Sequence, residues 1–152
     1  MIGRRHLPLL VFLSLLHLGL AAAALAAPDD GYRWLVLGAV DGDTLRVELP
    51  GLPPELQPIK VRVLGIDTPE AGGRAACALE RDLGAKATAL TRFLIHEAKR
   101  RGDAIVFSAI GWDKYGGRID AHVSIGGQSL GDTLIRAGLA RPYDGGKRRN
   151  WC

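Results

Sequence analysis

The stretch Ile59-Lys60-Val61-Arg62-Val63-Leu64-Gly65-Ile66-Asp67-Thr68-Pro69-Glu70 organises the reading of this chain. Ile59–Ile66 is dominated by β-branched and apolar residues and reads as a strand. Alternation puts Ile59, Val61 and Val63 on one side and Lys60 and Arg62 on the other, so Arg62 faces away from the apolar row. Pro69 stops the strand. Two carboxylates, Asp67 and Glu70, therefore stand at a strand end, one strand length from an arginine.

Upstream, Arg33–Val40 reads as a buried strand. Thr44–Leu49 alternates cleanly, with Leu45, Val47 and Leu49 opposite Thr44, Arg46 and Glu48. A second acidic cluster, Asp41-Gly42-Asp43-Thr44, opens that strand. Should the strand pair antiparallel with Ile59–Ile66, its start lies beside the other's end, and Asp43 meets Asp67. Asp-Gly and Asp-Thr-Pro are also ordinary turn chemistry, so from the residues alone a turn and a metal site both stand open.

Pro50–Pro58 holds four of the eight prolines and no periodicity, so it is a loop. Downstream, Gly72 and Gly73 mark a turn. Ala76–Arg101 reads as a helix with Leu79, Leu83, Leu90 and Leu94 on one stripe, weakened at Gly84 and ended by Gly102. Ala104–Ile110 and Arg118–Ile125 read as strands. Leu130–Ala137 reads as a short helix capped by Ser129 and stopped at Gly138, and the chain from Pro142 onward as irregular. Three strands, a long helix, two strands and a short helix predict an α+β, mainly β fold. It is a five-stranded OB-fold Greek-key barrel with the long helix between strands 3 and 4; an α+β sandwich gives a similar string.

The chain has 152 residues, a one-domain length. Arg4 and Arg5, the apolar run Leu7–Leu20 and Ala24-Leu25-Ala26 follow the order of a cleaved signal peptide. The expected division is a signal over 1–26, a folded domain over 27–143 and a tail over 144–152. The alternative, an uncleaved membrane anchor, is the less favoured one, since basic-apolar-small is the signal order. Either way the globular part is expected outside the cytosol, periplasmic or secreted, monomeric, and with no stable membrane association once the signal is removed. Net charge is only +4, which permits a polyanionic partner without demanding one. Lys99-Arg100-Arg101 and Lys147-Arg148-Arg149 read as a solvated helix end and a solvated tail. Cys77 and Cys152 are the two cysteines. In an exported protein they suggest a disulfide closing a loop of about 75 residues, worth on the order of 4 kcal/mol; two free thiols are the alternative.

Arginine completes the chemical pattern. A guanidinium grips phosphate bidentately and keeps its charge, and hard divalent cations take carboxylate and carbonyl oxygens. Arg62 sits near Asp67, and Arg118 follows Asp113-Lys114-Tyr115-Gly116-Gly117. Taken together and in order, Asp41–Thr44, Arg62–Glu70, Asp113–Arg118 and Leu134–Ala140 resemble the staphylococcal nuclease (thermonuclease) family over about residues 33–143. The resemblance implies an OB barrel with helices and a Ca2+-dependent phosphodiesterase acting on DNA and RNA to leave 3′-phosphorylated products. By position it makes the Asp43 and Asp67 carboxylates and the Thr68 carbonyl metal ligands. Glu70 becomes the general base or the group that orients the attacking water. Arg62 and Arg118 hold the phosphate, Lys114 and Tyr115 touch a terminal phosphate, and Tyr143 packs on a base.

Three departures from the family pattern stand out. An extra glycine precedes Arg118, so that residue needs a wider turn or a bulge to reach the site. The proline loop is longer. The family's C-terminal helix has no room after Gly138, and a Cys77–Cys152 bridge is a candidate for pinning the shortened tail instead. A non-catalytic module that binds nucleic acid or the cell envelope is the rival reading; retention of all five site side chains favours the enzyme. Gly127-Gln128-Ser129-Leu130-Gly131 matches a hydrolase elbow, but no histidine follows Ser129, and a helix cap is the better reading. His96 and His122 lack zinc-ligand spacing.

Overall fold

Leu45 and Val47 are fully buried while Arg46 and Glu48 are exposed, so the alternation of that segment becomes one core face and one solvent face. The computed structural model describes residues 31–114 and 116–152. The segment read as a signal and Tyr115 lie outside the described residues. The strands are β1 (Leu35–Ala39), β2 (Thr44–Glu48), β3 (Ile59–Val63), β4 (Ile66–Asp67), β5 (Ile105–Trp112), β6 (Arg118–Ile125), β7 (Gln128–Ser129) and β8 (Arg141–Pro142). The helices are α1 (Ala78–Arg101) and α2 (Leu130–Arg136). The fold is mixed α+β with mostly strand, a curled sheet and two helices, consistent with an OB-like barrel.

The five long strands run in the order β1-β2-β3-β6-β5, with β3 and β6 parallel and the other neighbours antiparallel. Backbone bonds between Tyr32 and Phe107, at 2.7 and 2.8 Å, carry the chain just before β1 onto β5 at the far edge. Leu45, Val47, Val61, Val63, Phe107, Ala121, Leu130 and Leu134 fill the interior. Ser129 caps α2 by accepting the Asp132 N–H at 3.1 Å, which is the cap reading and not a nucleophile's setting.

Four expectations need correction. The third strand does not run unbroken to Ile66. It ends at Val63, and Ile66–Asp67 leaves the main sheet to pair with Arg141–Pro142 in a second, two-stranded sheet. The described residues thus hold three two-residue strands beyond the five expected, and α1 follows β4. β5 runs on to Trp112 through a register shift between Ser108 and Gly111. Pro142 is paired with Ile66 and the Tyr143 N–H donates to the Gly65 carbonyl, so the chain from Pro142 onward is not wholly irregular.

The fourth correction concerns the buried stripe of α1. Leu79 is exposed and Leu83, Leu90 and Leu94 are only half-buried, whereas Glu80, Gly84, Ala87, Thr88, Thr91, Ile95 and Ala98 are buried. Small residues make this face because the helix lies directly on the backbone of the two acidic loops. A Cβ on Gly84 would sit 2.5 Å from the Glu70 carbonyl oxygen and 2.7 Å from that of Pro69. The Thr91 hydroxyl donates to the Gly42 carbonyl at 2.8 Å, tying the other acidic loop to the same face. Glu80 accepts the Ala76 N–H at 2.7 Å and the Glu70 N–H at 3.4 Å, holding the intervening loop.

Gly84→Ala raises intrinsic helix propensity by about 1 kcal/mol. Here it nevertheless destabilises, because the new methyl meets backbone; the expected net loss is about 1–3 kcal/mol in urea unfolding. Equal or greater stability would show that α1 does not press on Pro69 and Glu70.

Candidate active site

The register of β2 and β3 brings the acidic clusters together. Thr44 lies opposite Arg62, and the Val63 N–H donates to the Asp43 carbonyl at 2.8 Å. The chain then turns from Val63 to β4 and presents Asp67 beside Asp43. Arg62 stands between them: its Nη2 is 3.5 Å from Asp43 Oδ2 and 3.6 Å from Asp67 Oδ1, and donates to the Ile66 carbonyl at 3.4 Å. Both aspartates are only 5% exposed. Two carboxylates this deep require a cation between them.

Each aspartate is further held. Asp43 Oδ2 accepts the Thr68 N–H at 3.2 Å and Oδ1 the Thr44 hydroxyl at 3.1 Å. Burial pushes the Asp43 carboxyl above its ordinary value; Arg62 pulls it back, Asp41 adds to the rise, and the Thr68 and Thr44 donors offset part of it. Asp67 Oδ2 accepts the Trp151 indole N–H at 3.3 Å. Asp67 Oδ1 is buried and accepts no hydrogen bond, although two guanidinium groups stand near it.

Glu70 is half-buried and clamped between two guanidinium groups. Arg74 Nε lies 3.0 Å from Oε2, and Arg148 Nη1 donates to Oε1 at 2.9 Å. Arg74 also donates to Asp41 Oδ2 at 3.1 Å. Arg148 Nε lies 3.1 Å from Asp67 Oδ1. Burial disfavours the charge on Arg148, but Asp67, Glu70 and Asp43 outweigh it and hold its pKa above the ordinary value.

Arg118 reaches the site region despite the extra glycine. Gly116 and Gly117 have φ of 75° and 73°, a left-handed conformation open to glycine, and the turn closes with the Asp113 N–H on the Arg118 carbonyl at 3.0 Å. The insertion is absorbed there, and Arg118 enters β6 in register with Lys60, two residues from the Asp120–Arg62 pair. Its guanidinium is ion-paired with the buried Asp113 carboxylate. Arg118 and Arg62 line one cavity of about 480 Å3 with Lys114, Trp112, Tyr143 and Arg148. Tyr143 lies under Arg62, its ring centroid 5.8 Å from the guanidinium carbon. Asp43, Arg62, Asp67, Thr68 and Glu70 are thus adjacent; Arg118, Lys114 and Tyr143 face the same cavity from its other walls.

Asp43 and Asp67 offer carboxylate oxygens, the kind of donor a hard divalent cation such as Ca2+ takes, while the Thr68 backbone turns its N–H to Asp43. The Asp67 Oδ1 atom, buried without a hydrogen-bond donor, fits that role. Among the described residues there is no cluster of three or more acidic, His or Cys side chains arranged for a metal. Two carboxylates would therefore leave much of the coordination shell to water and to a substrate oxygen.

In the tail the Cys77–Cys152 pairing was expected from the sequence, whereas the seating of Trp151 and the reach of Arg148 were not. Cys77 and Cys152 are bonded to each other, with Cα atoms 6.1 Å apart. Trp151 is buried, and Arg141 stacks on it with its guanidinium carbon 3.7 Å from the ring centroid. Arg148 reaches Asp67 and Glu70, so Lys147-Arg148-Arg149 is not simply a solvated tail. An aromatic next to the terminal cysteine was the signal available. Lys99-Arg100-Arg101, by contrast, is an exposed helix end, with Arg100 and Arg101 paired to Glu97.

The fold and site define a class: an OB-like α+β domain carrying paired acidic loops and arginines at one end of its sheet. Residues 60–150 match the model of the staphylococcal nuclease homologue family, and the chain belongs to that family. No curated protein matches it.

Arg62→Ala leaves the Asp43 and Asp67 carboxylates buried without the cation between them. Removing one partner of such a buried ion set costs on the order of 3–5 kcal/mol. Chemical denaturation in a chelator should show a loss of that size. A change below about 0.5 kcal/mol, the level of an ordinary surface substitution, would mean Arg62 does not neutralise the pair.

Proposed function

We propose that this protein is an exported, Ca2+-dependent nuclease that hydrolyses phosphodiester bonds of DNA and RNA and leaves 3′-phosphorylated products. The observation that carries the proposal is Arg62 lying between the buried Asp43 and Asp67, with Glu70 alongside and Arg118 facing the same cavity. Family membership points the same way, and the disulfide is of a kind that persists outside the cytosol. Among the described residues no helix is long and apolar enough to cross a membrane.

Each residue has a distinct task in that reaction. Arg62 and Arg118 bind the non-bridging phosphate oxygens, where negative charge builds as water adds to phosphorus. Glu70, held by Arg74 and Arg148, orients the attacking water and accepts its proton. The new P–O bond forms as the P–O5′ bond breaks; O5′ takes a proton from solvent water and leaves as a hydroxyl, and the phosphate stays on the 3′ side. Asp43, Asp67 and the Thr68 carbonyl would hold the divalent cation, which supplies Lewis-acid neutralisation of a phosphate oxygen. Lys114 and the aromatic faces of Tyr143 and the 73% exposed Trp112 offer contacts for a neighbouring phosphate and for bases. Tyr115 is proposed as a terminal-phosphate contact from its sequence position alone.

Digestion of single-stranded DNA and RNA should require Ca2+ and cease in chelator, with 3′-phosphate ends on the fragments. Binding without cleavage in Ca2+ would leave a silent nucleic-acid module as the better description. Glu70→Gln should lower kcat about 10²-fold or more, as expected when a general base is removed, with little change in unfolding midpoint. Unchanged turnover would take Glu70 out of the mechanism. Arg118→Ala should likewise cost at least 10²-fold in kcat, the scale of one oxyanion donor; wild-type turnover would mean the residue does not reach the reacting phosphate.

A further inference from the structure

Arg148 lies far outside the segments that suggest the nuclease site, yet it touches two of its carboxylates. Of its three guanidinium nitrogens, Nε faces Asp67 Oδ1 at 3.1 Å and Nη1 donates to Glu70 Oε1 at 2.9 Å. Nη2 enters neither pair. The group borders the cavity that Arg62, Lys114 and Arg118 also line, and its side chain is 42% exposed. Asp113, paired with Arg118, and Asp120 line the same cavity, so its cations are partly offset; a planar fork on that lining with one terminal nitrogen outside both of its ion pairs still suits a phosphate oxygen.

What brings Arg148 there is local to this chain. The tail leaves β8, is fastened at its end by the Cys77–Cys152 bond at the start of α1, and is seated by Trp151 on Asp67 and Arg141. Arg141 Nη1 also donates to the Asn150 carbonyl at 2.9 Å. Three residues separate Arg148 from the bonded Cys152, so the disulfide limits how far that arginine can wander.

We propose that Arg148 is a third phosphate-binding arginine of the site and that the Cys77–Cys152 tether is what keeps it there. The proposal rests on the nuclease reading above. Its role differs from that of Arg62, which is built into β3. Arg148 arrives on a covalently tied segment, so it contributes to substrate binding only while the tie is intact.

The test uses the full chain, a fluorescent phosphorothioate oligothymidine that resists hydrolysis, and Ca2+ throughout. Binding is followed by anisotropy from low to moderate salt, and KM and kcat are measured separately on unmodified single-stranded DNA. Arg148→Ala should raise Kd and KM about tenfold, the effect of losing one charge-assisted hydrogen bond. It should flatten the slope of log K against log salt by about 0.7, the value of one phosphate contact on a single strand. Arg148→Lys should restore the slope. Dithiothreitol, or Cys152→Ser, should bring the wild type to the Arg148→Ala level and leave Arg148→Ala itself unchanged.

An unaltered salt slope in Arg148→Ala overturns the proposal. So does tighter binding or faster cleavage, which would make Arg148 a plug over Asp67 and Glu70. Reduction that weakens Arg148→Ala as much as the wild type also overturns it, because the tether would then act through the fold. A wild type that neither binds nor cuts the strand refutes the nuclease reading itself. Failure of the third arginine alone leaves wild-type activity in place, so the two failures are distinguishable.

Discussion

Burying Asp43 and Asp67 against each other is the constraint on which the rest of this structure depends. Taking two carboxylates out of water and placing them together costs several kcal/mol unless positive charge lies between them. Arg62 supplies that charge from the neighbouring strand. The antiparallel register of β2 and β3 sets where Arg62 falls, and the departure of the chain at Val63 sets where Asp67 falls. Helix α1 can then lie across both acidic loops because Gly84, Ala87, Thr88 and Thr91 form the middle of its buried face. Core packing and site geometry are therefore the same problem solved once.

Much of this was legible in the residues. The period-2 alternation of Thr44–Leu49 and Ile59–Val63 placed Arg62 opposite the apolar row, and the structure agrees. The two acidic clusters at strand ends pointed to their own meeting. The stripe of α1 was misread because leucines signal burial by size, whereas here closeness to a backbone selects small side chains. Gly84 looked like a weakness in a helix and is instead the place where Glu70 and Pro69 pass beneath it. The break after Val63 was hidden because Leu64–Ile66 continues the apolar run without a proline.

The tail shows a different limit. Nothing in the periodicity of Tyr143–Cys152 indicates structure, since its order comes from long-range partners: a disulfide across 75 residues, an indole on Asp67 and a guanidinium stacked on that indole. Such segments gain their fixed shape from covalent and polar ties and not from local propensity. In this chain those ties carry an arginine onto the acidic site.

On the proposed function, Asp43 and Asp67 form a cation site with Arg62 between them. The most direct measurement is thermal unfolding of the wild type and of Asp67→Asn across a Ca2+ titration. A ligand that binds only the folded state at a hundred times its Kd adds about 2.7 kcal/mol of stability. The wild type should show a saturable Ca2+-dependent rise that Asp67→Asn largely abolishes. Equal rises in both proteins, or none in the wild type at millimolar Ca2+, would contradict it.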